Sequence, residues 1–106
     1  MNRGEIRWYT FRAPDKRRPV LVLARDAVLE QLGEVIVAPA TRTVRGLVTE
    51  VLLTPEDGMP VTCALNFDHV SLSQKGRIGG LVCVLPPARW PEVRAALLAA
   101  CGFTPG

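Results

Sequence analysis

The sequence predicts a mainly β fold with α: a small curled β-sheet or barrel with one helix at its C-terminus. Three observations carry this. Short apolar runs such as Val20 to Leu23 and Leu81 to Leu85 recur between turn residues. Strand-forming residues cluster in short segments, the aromatic-rich Glu5 to Phe11 and the β-branched Val35, Ile36 and Val37. Helical periodicity is clear only at the end, where Val93, Ala96, Leu97, Ala100 and Cys101 repeat with the right spacing.

After Gly4, Glu5 to Phe11 alternates Ile6, Trp8 and Thr10 against Arg7, Tyr9 and Phe11, a first strand. Arg12 to Arg17 contains Ala-Pro-Asp-Lys, a polar turn that makes the next strand return as an antiparallel hairpin. In Arg17 to Arg25 two cations and a proline run into an uninterrupted apolar stretch. Val20 to Leu23 has neither helical period nor strand alternation, so it is expected to be covered on both faces. Pro19 lacks an N–H and is best tolerated at such a strand's first position. Arg18 then stands where the chain enters the core.

Asp26 is a candidate helix cap, and Ala27 to Leu32 a short helix stopped by Gly33. Glu34 to Thr41 is a third strand, expected to break at Pro39 and to pass into the loop Thr41 to Gly46, rich in hydroxyls and guanidinium groups. Val48 to Leu53 is a fourth strand, ended by the turn Pro55 to Gly58. Val61 to Ser71 reads as a further strand, with Leu65, Phe67 and His69 alternating against Asn66, Asp68 and Val70. Gln74 to Gly76 is a turn, Gly79-Gly80 weakens any regular element, and Leu81 to Leu85 is the last strand. Pro86-Pro87 then leads into a helix of about three turns, with Pro91 in its first turn, Gly102 just past its end, and Arg89 and Arg94 on its exposed side.

At 106 residues this is one expected domain, 1–106, and 48% hydrophobic against 22% charged residues implies a chain that folds. No apolar run approaches the ~20 residues that span a bilayer, and charges occupy the N-terminus where a signal peptide is apolar, so a cytoplasmic protein without membrane contact is expected. Cys63, Cys83 and Cys101 are odd in number and far apart, which suggests three buried, reduced thiols. With a single histidine and no cysteine pair, neither a metal site nor a cofactor is indicated.

The net charge of +3 is unevenly placed: nine of the thirteen basic residues lie within the first 45, against five acidic ones. If these segments converge they form a face suited to phosphate; a solvated basic surface explains the same counts. Arg17 and Arg18 at a strand entrance and Arg42 in a strand-exit loop are candidates for binding phosphate, because guanidinium offers charge and directional hydrogen bonds together. Thr41 could donate to a phosphate oxygen or hydrogen-bond the local backbone. Asp68-His69 resembles an acid/base pair, but neighbouring strand residues face opposite ways, which argues against a triad. Ser71 and Ser73 have no base at a diagnostic spacing. Residues alone lead to a small basic β-barrel suited to binding a polyanion and do not establish an enzyme.

Taken together, Arg3-Gly4-Glu5-Ile6, Arg18-Pro19-Val20-Leu21-Val22-Leu23, Val37-Ala38-Pro39-Ala40-Thr41 and Leu47-Val48-Thr49-Glu50-Val51 resemble, in order and spacing, the MazF/PemK family of toxin endoribonucleases. Asn66-Phe67-Asp68-His69-Val70 and Lys75-Gly76-Arg77-Ile78-Gly79 extend the resemblance over nearly the whole chain. It implies an SH3-like barrel with a C-terminal helix, usually a homodimer, that cuts single-stranded RNA without a metal and is blocked by a cognate antitoxin. It also implies that Arg18 and Thr41 are catalytic, with Arg17, Arg42, Thr43, Leu47, Asp68 and His69 binding substrate. Four departures stand out: a short loop before Arg18, Asn66 where some members have arginine, His69 in place of a frequent glutamine, and Arg7 in place of the first tryptophan of the usual pair. Two other readings are a barrel that binds a protein partner, as CcdB gyrase poisons do, and a nucleic-acid module without catalysis. The Phe-Thr-Pro-Gly end lacks the Trp-Gly-Ile tail of the former, and exposed aromatic platforms for the latter are scarce.

Overall fold

The computed structural model describes residues 1–11 and 16–104. Strands β1 (Glu5–Thr10) and β2 (Arg17–Val22) form the expected antiparallel hairpin, with Ile6 opposite Leu21 and Tyr9 opposite Arg18. Residues 12–15 of the turn between them lie outside the described residues. Val20, Leu21 and Val22 are each 0% exposed, as the unbroken apolar run implied. Their side chains divide between two cores: Leu21 packs with Ile6, Leu65, Leu85 and Val93, while Val20 and Val22 pack with Tyr9, Leu29 and Val35. Burial on both faces makes β2 the rigid wall of the fold, since each such side chain contributes about 1.5–3 kcal/mol.

Pro19 is the third residue of β2, not the first. It lies outside the Val20–Val22 stretch that pairs with the next strand, so its missing N–H breaks no bond there. Helix α1 is only Asp26–Leu29, and its cap residue is Arg25. Asp26 is not the cap because its Oδ1 is committed elsewhere, accepting the Arg3 N–H at 2.7 Å.

Strand β3 (Glu34–Thr41) continues through Pro39, which sits opposite Val20. One edge of β3 pairs with β2. The other is shared: Glu34–Val37 pairs with β6 (Ser71–Gln74), and Ala40–Thr41 pairs with β5 (Cys63–Asn66). The sheet therefore forks at Ala38–Pro39, and Thr41 ends up between the start of β2 and the start of β5. Strand β4 (Glu50–Leu53) pairs with β5 and begins two residues later than expected, after a turn at Val48–Thr49. The Val61 to Ser71 strand is instead β5, a 3-10 turn at Phe67–His69, and β6. Strand β7 (Ile78–Val84) runs through Gly79-Gly80 and absorbs two register shifts against β1. The strand order β4-β5-β3-β2-β1-β7 ends on two strands that do not pair with each other, so the curled sheet stays open.

The C-terminal helix, α2 (Trp90–Ala100), has Pro91 in its first turn and Gly102 beyond its end at φ +77°. It buries Val93 and Ala96 in the first core. Arg89, expected to be exposed, is instead half-buried: Nη1 donates to both Asp57 carboxylate oxygens at 2.8 and 2.9 Å, Nη2 to the Leu52 carbonyl and Nε to Glu92. The Thr54 N–H and then Arg89 hold the Asp57 carboxyl below the usual carboxylate range. This bracket ties the start of α2 to β4 through the 3-10 turn Pro55–Asp57. Of the three cysteines only Cys63 is buried; Cys83 is half-buried and Cys101, just past the end of α2, is exposed. No helix is long and apolar enough to cross a membrane.

Candidate active site: a cationic groove at the fork of the sheet

Where β3 leaves β2 to join β5, the surface opens into a groove with two compartments. The larger, of about 310 Å³, is walled by Trp8, Lys16, Arg17, Arg18, Thr41, Arg42 and Thr43 over a floor of Met59, Pro60, Val61 and Cys63. The smaller, of about 190 Å³, is lined by Arg18, Thr41, Thr43, Arg45, Glu50, Asn66 and His69. Arg18, Ala40, Thr41 and Thr43 line both and so mark the junction. Five of the nine early basic residues converge: Lys16, Arg17, Arg18, Arg42 and Arg45 surround this one groove, and among the described residues Glu50 is the single acid in its lining.

Local structure explains the junction. Arg18 is exposed at the mouth of β2, whose next residues are anchored in the core, so its backbone is fixed while its side chain remains free. The ion pairs among the described residues join Arg7 to Glu5 and Arg89 to Asp57 and Glu92, and none of them uses a cation of the groove. The Thr41 Oγ1 accepts the Thr43 N–H at 3.1 Å. That bond occupies a lone pair and leaves the hydroxyl proton available, so the two roles considered for Thr41 are compatible.

The loop after Thr41 is folded by Glu50, whose Oε1 accepts the N–H groups of Arg45 at 3.0 Å and Leu47 at 3.3 Å. Gly46 allows the reversal at φ +69°. This turns Thr43 and Arg45 toward the smaller compartment. On its far side the turn Phe67–His69 is pinned from three directions: the Phe67 N–H donates to the Thr49 carbonyl at 2.9 Å, the Asp68 N–H to Asn66 Oδ1 at 3.0 Å, and Thr49 Oγ1 to Asp68 Oδ2 at 2.7 Å. The expectation of alternating strand faces at Asp68-His69 therefore does not apply, because these residues sit on a 3-10 turn.

Of the residues proposed for the site, the structure brings Arg17, Arg18, Thr41, Arg42, Thr43 and His69 to the groove. It does not bring Leu47 or Asp68 there. Leu47 is 47% exposed beyond the loop, and the Asp68 carboxylate is turned to Thr49. The sequence reading did not single out Lys16, Trp8 or Glu50 as site residues. The Arg17 guanidinium lies over the Trp8 ring at 4.6 Å, which joins a cation to an aromatic face at the edge of the larger compartment. Glu50 had a signal in its place at the start of β4 after the Leu47-Val48-Thr49 run.

Burial pushes the Cys63 thiol up, which keeps it neutral and makes it a poor nucleophile despite its place in the floor. Among the described residues, no group of three or more His, Cys, Asp or Glu side chains is arranged to hold a metal ion. What the groove offers is a permanent cation and a hydroxyl donor at one point, flanked by four further cations. That set suits a phosphodiester.

Comparison with known proteins points the same way. The family model for PemK-like, MazF-like toxins of type II toxin-antitoxin systems matches residues 2–101. The probable endoribonuclease MazF2 of Mycobacterium tuberculosis is 41% identical over 103 residues, which is 96% of this chain and 99% of that protein. The M. tuberculosis toxin MazF-mt6 superposes with a TM-score of 0.85 at 31% identity, over 92% of this chain and 96% of that one. A MazE-MazF crystal structure from Deinococcus radiodurans gives a TM-score of 0.82 at 25% identity, over 98% and 97%. Matched over nearly its full length in sequence and in fold, the chain belongs to the PemK-like, MazF-like toxins of type II toxin-antitoxin systems.

Proposed function

We propose that this protein is an endoribonuclease toxin that cleaves single-stranded RNA at specific sequences without a metal, and that a cognate antitoxin inhibits it. One observation carries the reading: Arg18 and Thr41 line both compartments of the cationic groove. A phosphate at that junction meets a guanidinium and a hydroxyl donor, with a nucleotide on each side. In RNA the ribose 2′-hydroxyl lies beside its own phosphate, so alignment and charge stabilisation carry most of the catalysis. Arg18 stabilises the pentavalent anion, Thr41 hydrogen-bonds a phosphate oxygen, and Arg17, Arg42 and Thr43 hold the flanking chain. The product is a 2′,3′-cyclic phosphate with a 5′-hydroxyl on the other fragment. DNA, without the 2′-hydroxyl, is not cut.

The relatives' names support RNA as substrate, and the MazE-MazF crystal structure supports an antitoxin partner. We take the working form to be a homodimer of single-domain chains, 1–106, acting in the cytoplasm. The test is incubation of the purified protein with a long single-stranded RNA in excess chelator, followed by mapping of the ends. Cuts at a recurring sequence with cyclic-phosphate ends are expected, along with an intact DNA of the same sequence. Binding without cleavage would refute the reading in favour of a non-catalytic module.

A further inference from the structure

Attack by the 2′-hydroxyl requires a group that takes its proton, and neither junction residue serves. A guanidinium stays protonated, and a threonine hydroxyl is too weak a base. Among the described residues, the rest of the smaller compartment is Pro39, Ala40, Thr43, Arg45, Glu50, Asn66 and His69, of which only Glu50 and His69 can accept a proton at neutral pH. Glu50 is engaged through Oε1 with two loop amides, so drawing on it would loosen the loop that shapes the compartment. His69 is the only histidine of the chain, and its side chain is exposed at the compartment while its turn is held rigidly. The hydrogen bonds of that turn engage Phe67, Asp68, Asn66 and Thr49, and among the described residues none uses the imidazole. Arg18, Thr41 and His69 line this one compartment of about 190 Å³, so a ribose-phosphate held at the junction has the imidazole on a wall of the same cavity.

We infer that His69 is the general base of the cleavage, an assignment that rests on the RNA-cleaving function proposed above. As the 2′-oxygen bonds to phosphorus, its proton passes to the unprotonated ring nitrogen of His69. The phosphorus–O5′ bond breaks, the 5′-oxygen takes a proton from solvent, and the imidazolium returns its proton to solvent. The charged groups around the ring are Arg18 from β2, Arg45 from the loop, Glu50 from β4 and Asp68 on its own turn. Strand β3 contributes neutral Thr41 and β5 neutral Asn66. Helix α2 meets the turn from the core side through Val93 and Ala96, with Glu92 and Arg94 exposed.

The experiment is single-turnover cleavage of a single-stranded RNA between pH 5 and 8, the window in which an imidazole changes charge. The wild-type rate is expected to rise with pH with unit slope. His69→Gln should be slower by about 100-fold and lose that limb, while its affinity for the fully 2′-O-methylated RNA stays within about threefold. Added imidazole should restore His69→Ala at least about tenfold, which a residue that only reads a base would not show. The assignment is overturned if His69→Gln keeps the wild-type limb and rate. It is also overturned if a 5′-bridging thiolate substrate, whose leaving group needs no proton, restores His69→Ala fully, because His69 would then be the acid. Absence of cleavage by the wild type overturns the RNA-cleaving function itself; cleavage unaffected by either substitution overturns only the role of His69.

Discussion

Replacing Arg18 tests the groove most directly. The side chain is exposed, carries no ion pair with a described residue, and sits on a strand anchored by Val20 to Val22, so Arg18→Ala should leave the melting temperature within about 2 °C of the parent. Its cost should fall on the reaction. Losing one donor aimed at the anion of a phosphoryl or acyl transition state costs about 2.7–4 kcal/mol, a factor of about 10²–10³ in rate. Arg18 lines both compartments, and no other cation among the described residues does so. Arg18→Lys keeps the charge and loses the fork; RNA affinity should be nearly unchanged while the rate falls at least about tenfold. The assay is single-turnover cleavage of an end-labelled RNA, with binding measured on its 2′-O-methylated form over a salt series. Arg18→Ala should also lower the slope of log affinity against log salt by about 0.7, one phosphate contact. Cleavage by Arg18→Ala within about threefold of the parent would sink the reasoning.

Three other substitutions probe the site and its support. Thr41→Ser keeps the hydroxyl and its bond to the Thr43 N–H and should cleave RNA at close to the parent rate, whereas Thr41→Val should lose at least about tenfold; equal rates for the two would remove the hydroxyl from the mechanism. Asp57→Asn removes the charge paired with Arg89 and should cost about 1–2 kcal/mol in urea denaturation at pH 7. Because the folded carboxyl is held below its usual range, its stabilisation is complete above the unfolded value and fades as the pH falls through the folded one, so the gap between parent and variant should close as acid protonates the folded carboxyl. A gap of equal size at both ends would contradict that origin. Gly58→Ala places a Cβ 2.9 Å from Cys83 Cβ at φ +101° and should cost about 2–3 kcal/mol, measured against Gly33→Ala, where nothing lies within 4 Å.

Elements decided by local chemistry were legible. Val20 to Val22 had to be buried on both faces because an unbroken apolar run offers no solvent side, and α2 announced itself through its spacing between Pro91 and Gly102. Where long-range contacts compete, local reading failed. Asp26 looked like a cap until the Arg3 N–H took its carboxylate, and Arg89 looked solvent-facing until Asp57 supplied a partner 32 residues away. Phe67 to His69 carries the alternation of a strand, yet Thr49 and Asn66 bend it into a turn.

The sequence by itself determined the mainly β class, the closing helix, the excess of cations early in the chain and the motifs that single out Arg18 and Thr41. It could not say whether those cations were neighbours, because charge counts carry no geometry. Tertiary structure decided that: the fork of β3 between β6 and β5 sets Thr41 beside the mouth of β2. The same fork sets His69 across the junction and leaves Asp68 and Leu47 outside the groove. Strand pairing sums many weak non-local contacts, and only that sum selects which residues of a loop meet a distant strand.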